Sequence, residues 1–191
     1  MRNKIQESVE IPEGISCNLE GYVLTCSKDG KQTMKSFDLP TTEISTDNNK
    51  ITFTCQSGNK IHYKKIKTFV AHINNIFNGL QKPYTYKLEI GHVHFPMTVK
   101  AENDLVTITN FLGETTLRTA KIHPNTTVDI KGTDITVTSH DKEAAGQTAA
   151  NIEKAVRINN RDRRIFQDGI YITEKPARSN LAQEAEESED A

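Results

Sequence analysis

The chain has 191 residues, 35% of them hydrophobic and 26% charged, with a formal net charge of −1 at neutral pH. Such a composition is ordinary for a folded protein and excludes collagen-like, coiled-coil and wholly disordered classes. No run of about 18 apolar residues is present for a membrane helix, and the opening stretch "MRNKIQESVEIPEG" lacks the apolar centre of a secretory signal, so a cytosolic protein is expected.

The net charge averages over an acidic end. The last ten residues, "AQEAEESEDA", carry five acids and no base, which leaves residues 1–181 at +4. A run of this kind repels itself and holds too little apolar surface to fold, so residues 177–191 are expected to form a disordered tail.

In chain order, "ISCNLEGYVLTCS" alternates apolar and polar residues about Gly21, the pattern of a hairpin, and a second turn at Asp29-Gly30 returns the chain as another strand. "KITFTCQSGNKIHY" reads as a further strand pair around Ser57-Gly58. The period then changes: from Ile66 onward Phe69, Val70, Ile73, Phe77 and Leu80 fall three and four apart, predicting a helix to about Asn78 with Gly79 as its terminator. In "PYTYKLEIGHVHFPMTV" the apolar parity switches at Gly91, which predicts one long strand carrying a bulge there.

The same order then repeats. "MTVKAENDLVTITNFLGETTLRTAKI" predicts a hairpin and a turn at Gly113, and "TTVDIKGTDITVTS" a strand pair about Gly132. "DKEAAGQTAANIEKAVRI" predicts a helix with Ala145, Ala149, Ile152 and Val156 on one face and Ser139 or Asp141 as its N-cap. "ITFT" at 51–54 and "ITVT" at 135–138 lie 84 residues apart, and Gly30 and Gly113 lie 83 apart. Two coincidences at nearly one offset point to an internal duplication. The expected fold is α+β: two similar domains, 1–82 and 83–176, each a small, mostly antiparallel sheet packed against one main helix.

Catalytic and cofactor motifs are absent. There is no G-x-S-x-G, H-E-x-x-H or G-x-G-x-x-G, and "DGKQT" lacks the spacing and the Lys-Ser/Thr pair of a phosphate-binding loop, so neither a catalytic residue nor a cofactor is assigned. His92 and His94 share a strand face, but no third ligand stands at a diagnostic spacing, so no metal is assigned. Cys17, Cys26 and Cys55 are isolated from one another and form no C-x-x-C, so neither a zinc ribbon nor a redox pair is assigned; they read as buried strand thiols.

The charged feature that stands out is "RINNRDRRIFQDGIYI". Four of the seven arginines, Arg157, Arg161, Arg163 and Arg164, fall within eight consecutive residues. Guanidinium groups stay charged, are weakly hydrated and fork onto two phosphate oxygens, so a cluster of them suits a polyphosphate backbone. Asn159-Asn160 ends the helical pattern, which predicts an extended or turning segment, and Asp162 and Asp168 are expected to neutralise part of the charge.

"RDRRIFQDGIYITEK" at 161–175, "NFLGE" at 110–114, "HFPMTV" at 94–99 and "VEIPEG" at 9–14 stand in the order and spacing of the universal large-subunit ribosomal protein six family, in its archaeal and eukaryotic form, called large-subunit protein nine in eukaryotes. The chain resembles that family over about residues 5–176. The resemblance implies two similar α+β domains, a structural and non-catalytic role in the large ribosomal subunit, and partners comprising large-subunit rRNA near the sarcin–ricin loop, neighbouring ribosomal proteins and, nearby, translational GTPases; no membrane is implied. It implies rRNA-phosphate contacts for Arg161, Arg163 and Arg164, and more loosely for Arg157 and Lys175; Lys154 is added for its proximity.

The first domain departs from the family pattern. Where relatives carry a basic "KGPRG" turn followed by arginines, this chain has "CSKDGKQTMKSF", and Glu89 stands where arginine is common. The first domain is therefore expected to meet mainly protein neighbours or a smaller rRNA surface. The alternative to the ribosomal reading is a cytosolic protein-interaction module whose arginines pair with an acidic partner; an enzyme with a site between the domains ranks third.

Overall fold

The computed structural model describes residues 3–37, 42–47 and 49–176. The expected acidic tail lies outside the described residues. By its internal contacts the chain divides into two units, Met1–Lys82 and Pro83–Ala191.

In the first unit β1 (Asn3–Glu10) is followed by a meander of β2 (Ser16–Glu20), β3 (Val23–Lys28) and β4 (Lys31–Ser36), then by β5 (Glu43–Asp47), β6 (Lys50–Gly58) and α1 (Lys60–Gln81). The meander is one antiparallel sheet; β1, β6 and β5 form a second, with β6 central. Alternate residues face inward, as strand geometry dictates: Leu24 and Cys26 from β3, Ile51, Phe53 and Cys55 from β6. α1 closes over them with Ile66, Ile73, Ile76, Phe77 and Leu80. Phe37 meets Phe53 and Phe69 edge to face, at ring separations of 6.0 and 5.0 Å.

Two boundaries of α1 differ from the expectation. No strand pair turns at Ser57-Gly58: β6 runs on to Gly58, and Asn59 caps the helix, its Oδ1 accepting from the N–H groups of Ile61 and His62 while His62 Nδ1 accepts from the Asn59 N–H. This reciprocal cap starts the helix a full turn before its apolar stripe, where periodicity alone gives no signal. At the other end Gly79 does not terminate the helix; it is buried within it. Lys82 turns extended because Pro83 follows, and proline disfavours the helical region for its predecessor.

The second unit repeats the plan: β7 (Tyr84–Gly91), a meander of β8 (Thr98–Glu102), β9 (Leu105–Thr109) and β10 (Arg118–Lys121), then β11 (Thr126–Lys131), β12 (Asp134–Ser139) and α2 (Lys142–Ala155). One strand is added, β13 (Gly169–Glu174), so the sheet order is β11-β12-β7-β13 against β5-β6-β1 in the first unit. "ITFT" lies in β6 and "ITVT" in the equivalent β12, and Gly30 and Gly113 occupy equivalent connections in the two meanders. The fold is α+β and duplicated, with two antiparallel sheets in each unit where the sequence suggested one.

Asp141, not Ser139, caps α2, accepting from the Glu143 N–H; Ser139 Oγ in turn accepts from the Asp141 N–H. The helix presents small residues to the sheet, Ala145 and Ala149 being fully buried. A Cβ at Gly146 would lie 2.9 Å from the Tyr86 hydroxyl, so the absence of a side chain sets how closely helix and strand approach.

The long bulged strand is not formed. β7 ends at Gly91, residues 92–97 form a loop, and β8 begins in the other sheet, so the parity change records a change of sheet. Gly91 instead pairs with Gly169 across β7 and β13, and the register shift of this sheet lies in β13, between Ile172 and Glu174.

Candidate nucleic-acid interface

The connection from α2 to β13, residues 156–168, carries the arginines as a turning segment. Asn160 adopts φ +56°, a left-handed conformation that asparagine tolerates better than most residues. Asp162 then organises the next turn: its Oδ1 accepts from the Arg164 N–H at 2.9 Å, and its carbonyl accepts from the Ile165 and Phe166 N–H groups. Gln167 Nε2 donates to the Arg164 carbonyl, and the Tyr171 hydroxyl donates to the Gln167 carbonyl. The arginines thus sit on a braced backbone.

Asp168 does not neutralise arginine, contrary to the expectation from sequence. It is 1% exposed and fastens the 92–97 loop: Oδ1 accepts from the Val93 and His94 N–H groups at 2.8 and 3.0 Å, and Oδ2 lies 2.6 Å from His94 Nδ1. Burial alone would raise its pKa; the hydrogen bonds from His94 and Val93 outweigh that and bring it down to about 2. His94 is therefore occupied by a carboxylate and a ring. It stacks on Phe166 at 4.9 Å, and the Arg161 guanidinium lies 4.8 Å from the centre of the same ring. The Phe95 ring packs beside Gly113, 3.6 Å from where its Cβ would stand, and Gly113 has φ +76°. Three separate sequence stretches, "HFPMTV", "NFLGE" and "RDRRIFQDG", meet at this one place.

Arg118 anchors the segment from beneath, a role sequence reasoning did not assign. Its Nη1 donates to the carbonyls of Ala155 and Arg157 at 3.0 and 3.2 Å, its Nε and Nη2 fork onto Glu114 at 2.9 Å each, and its guanidinium lies 4.3 Å from the Phe111 ring centre. A cation at the C-terminal carbonyls of α2 answers the negative end of the helix. Glu114 is held below its usual pKa, first by the Arg118 hydrogen bond and also by the charges of Arg118 and Arg161, against a smaller opposing effect of desolvation.

Arg157, Arg161, Arg163 and Arg164 are all exposed, as are Lys154 and Lys175, and among the described residues no acidic side chain forms an ion pair with any of them. Lys154, Arg157 and Arg163 line one concavity of about 190 Å³ between the end of α2 and the start of β13. Arg161 is held apart on Phe166, Arg164 continues the turn, and Lys175 lies just beyond β13. The cluster is a surface several residues long, not a single pocket. His92 is exposed, and no group of three metal-ligating side chains occurs among the described residues.

The cysteines are free strand thiols as expected, except that two of them, separated in sequence, are neighbours in the fold. Cys26 and Cys55 are buried, Cys17 is half-buried, and Cys17 and Cys26 are direct partners across β2 and β3 with their sulfurs 2.7 Å apart. Their spacing about the Gly21 turn was the available signal, since the two positions lie symmetrically on either side of it.

Fold and site together define a duplicated α+β protein that displays a braced guanidinium surface at the end of its second helix. The family model for ribosomal protein L6 matches residues 95–169, the stretch from Phe95 through the arginine segment to the start of β13. Large ribosomal subunit protein uL6 of Haloarcula marismortui is 40% identical over 172 residues, covering 90% of this chain and 97% of that protein. Its namesakes in Methanocella arvoryzae and Methanospirillum hungatei are 41% and 38% identical, again across 90% of this chain and 97% of theirs. The chain belongs to the ribosomal protein L6 family, whose members are structural proteins of the ribosome and not enzymes.

Proposed function

We propose that this chain is built into the large subunit of cytoplasmic ribosomes, and that its second domain, 83–176, makes its main contact with large-subunit rRNA. Arg157, Arg161, Arg163 and Arg164 meet phosphate oxygens, with Lys154 and Lys175 adding charge at the flanks. Phosphate contacts of this kind supply affinity, while the shape of folded RNA supplies placement. The rRNA is that near the sarcin–ricin loop, so that the protein, with its ribosomal-protein neighbours, supports the area where translational GTPases land.

The observation that carries this reading is the disposition of the segment's own acids. Asp162 is bonded to the backbone of its own turn and Asp168 is buried under the 92–97 loop, so neither acid of the segment pairs with an arginine; all four arginines are exposed, with Arg161 resting on Phe166 and within the electrostatic reach of Glu114. In the first domain the turn equivalent to the family's basic one holds Asp29 at φ +50° and leads to an exposed Met34, which supports contact there with protein or with a smaller rRNA surface.

The test uses the full chain and a large-subunit rRNA fragment containing the sarcin–ricin stem. The native protein is expected to bind it in preference to an unrelated folded RNA of equal length and to cosediment with large subunits at moderate salt. The quadruple variant Arg157→Ala, Arg161→Ala, Arg163→Ala, Arg164→Ala is expected to lose most of that binding. Equal binding by the variant, or a native protein that stays at the top of the gradient, contradicts the proposal.

A further inference from the structure

The first unit holds a feature that the ribosomal reading does not use. Cys17 and Cys26 face each other across the β2–β3 hairpin, and counting outward in alternation from the two-residue turn Gly21-Tyr22 places them at a non-hydrogen-bonded position. Opposed residues at such a position have Cα atoms about 4.5 Å apart, within the span a disulfide bridges without moving the backbone. Their sulfurs lie 2.7 Å apart, so a disulfide would need little movement of either side chain. Access is one-sided. Cys26 is 0% exposed, whereas Cys17 is half-buried and lines a concavity of about 530 Å³ together with Ile11, Ile15 and Leu19.

We propose that Cys17 and Cys26 form an oxidisable dithiol, a modification site that a hydroperoxide closes to a disulfide across the β2–β3 hairpin. The Cys17 thiolate attacks one peroxide oxygen, the O–O bond breaks, and hydroxide leaves, giving a sulfenic acid. The Cys26 sulfur then attacks Cys17 Sγ, the S–O bond breaks, and the Cys26 proton departs with that oxygen as water. The peroxide gains two electrons and the two thiols lose them. The hydrogen bond from Cys26 lowers the Cys17 pKa against the opposing effect of burial, while the Cys26 thiol is raised by the same contact and by its burial. Cys17, which lines the concavity, is the attacking sulfur, and Cys26, shut away from solvent, is the resolving one. In a compartment rich in small thiols such a bridge is transient and is reopened by exchange. Cys55, buried in β6 opposite Ile5, serves as an internal control.

The full chain is reduced, freed of reductant, exposed to hydrogen peroxide, alkylated under denaturing conditions and weighed intact. One alkyl group per chain is expected where the reduced protein takes three, and cleavage after Glu20 should leave two fragments joined until a reductant separates them. A Cys26→Ser chain should stop at the Cys17 sulfenic acid, captured by dimedone, and a Cys17→Ser chain should keep both remaining thiols. Three alkylatable thiols after oxidation, a bridge to Cys55 or to a second chain, or equal thiol loss in Cys17→Ser overturns the proposal. The fragment mapping on the unsubstituted protein decides the matter even if a serine variant fails to fold.

Discussion

Asp168 is buried because its carboxylate takes hydrogen bonds from the Val93 and His94 amides and from the His94 ring, which makes it a fastener beneath the arginine segment. Its pKa falls from about 3.9 in an unfolded chain to about 2 in the folded one. A depressed carboxylate contributes stability that is fully present above the unfolded value and is lost as pH falls through the folded one; a shift of this size corresponds to about 2–3 kcal/mol. Urea unfolding of the native chain between pH 5 and pH 2 should therefore show that loss. An Asp168→Asn chain should be less stable at pH 6 and should lack this component of the pH dependence. An unchanged acid slope in the variant would remove Asp168 from its assigned role. In sequence Asp168 looked like a countercharge because it stands four residues from Arg164; its actual partners lie 74 and 75 residues away, a distance that local charge patterning cannot bridge.

At the scale of elements, the segment's position depends on the end of α2, where Arg118 donates to the Ala155 and Arg157 carbonyls. Arg118→Ala removes those bonds together with the Glu114 fork, and is expected to cost about 1–3 kcal/mol. Amide exchange at residues 152–157 should speed up; unchanged protection there would mean that the helix end holds itself. The hairpins and the apolar stripes of both helices were legible from periodicity, because the side chains that set the period also form the cores. The misread elements were those decided by something other than period. Asn59 begins α1 through a reciprocal cap ahead of the stripe, Pro83 ends it beyond Gly79, and Gly91 marks the passage from one sheet to another. Of the site, the exposed arginines and their turning backbone were legible, whereas Arg118 was not, because a lone arginine in "TTLRTAK" gives no sign that it crosses to a helix end.

Across the molecule the duplication supplies two copies of one plan, and among the described residues only the second carries the added strand β13 and the arginine connection leading into it. Net charge does not explain the division of labour. Residues 1–82 hold 11 basic and 8 acidic side chains, residues 83–176 hold 12 of each, and the remaining acidity lies in the last fifteen residues. The mild positive charge of the body therefore resides in the first unit, and the case for RNA contact by the second rests on local arrangement. Each phosphate neutralised contributes about 0.7 to 0.9 to the slope of log affinity against log salt. The most direct test is that slope, measured for the full chain and for the variant with Arg157, Arg161, Arg163 and Arg164 all replaced by alanine, on the same rRNA fragment. The account predicts a slope shallower by about three in the variant; an identical slope in the two proteins would show that the arginine segment is not where this protein holds RNA.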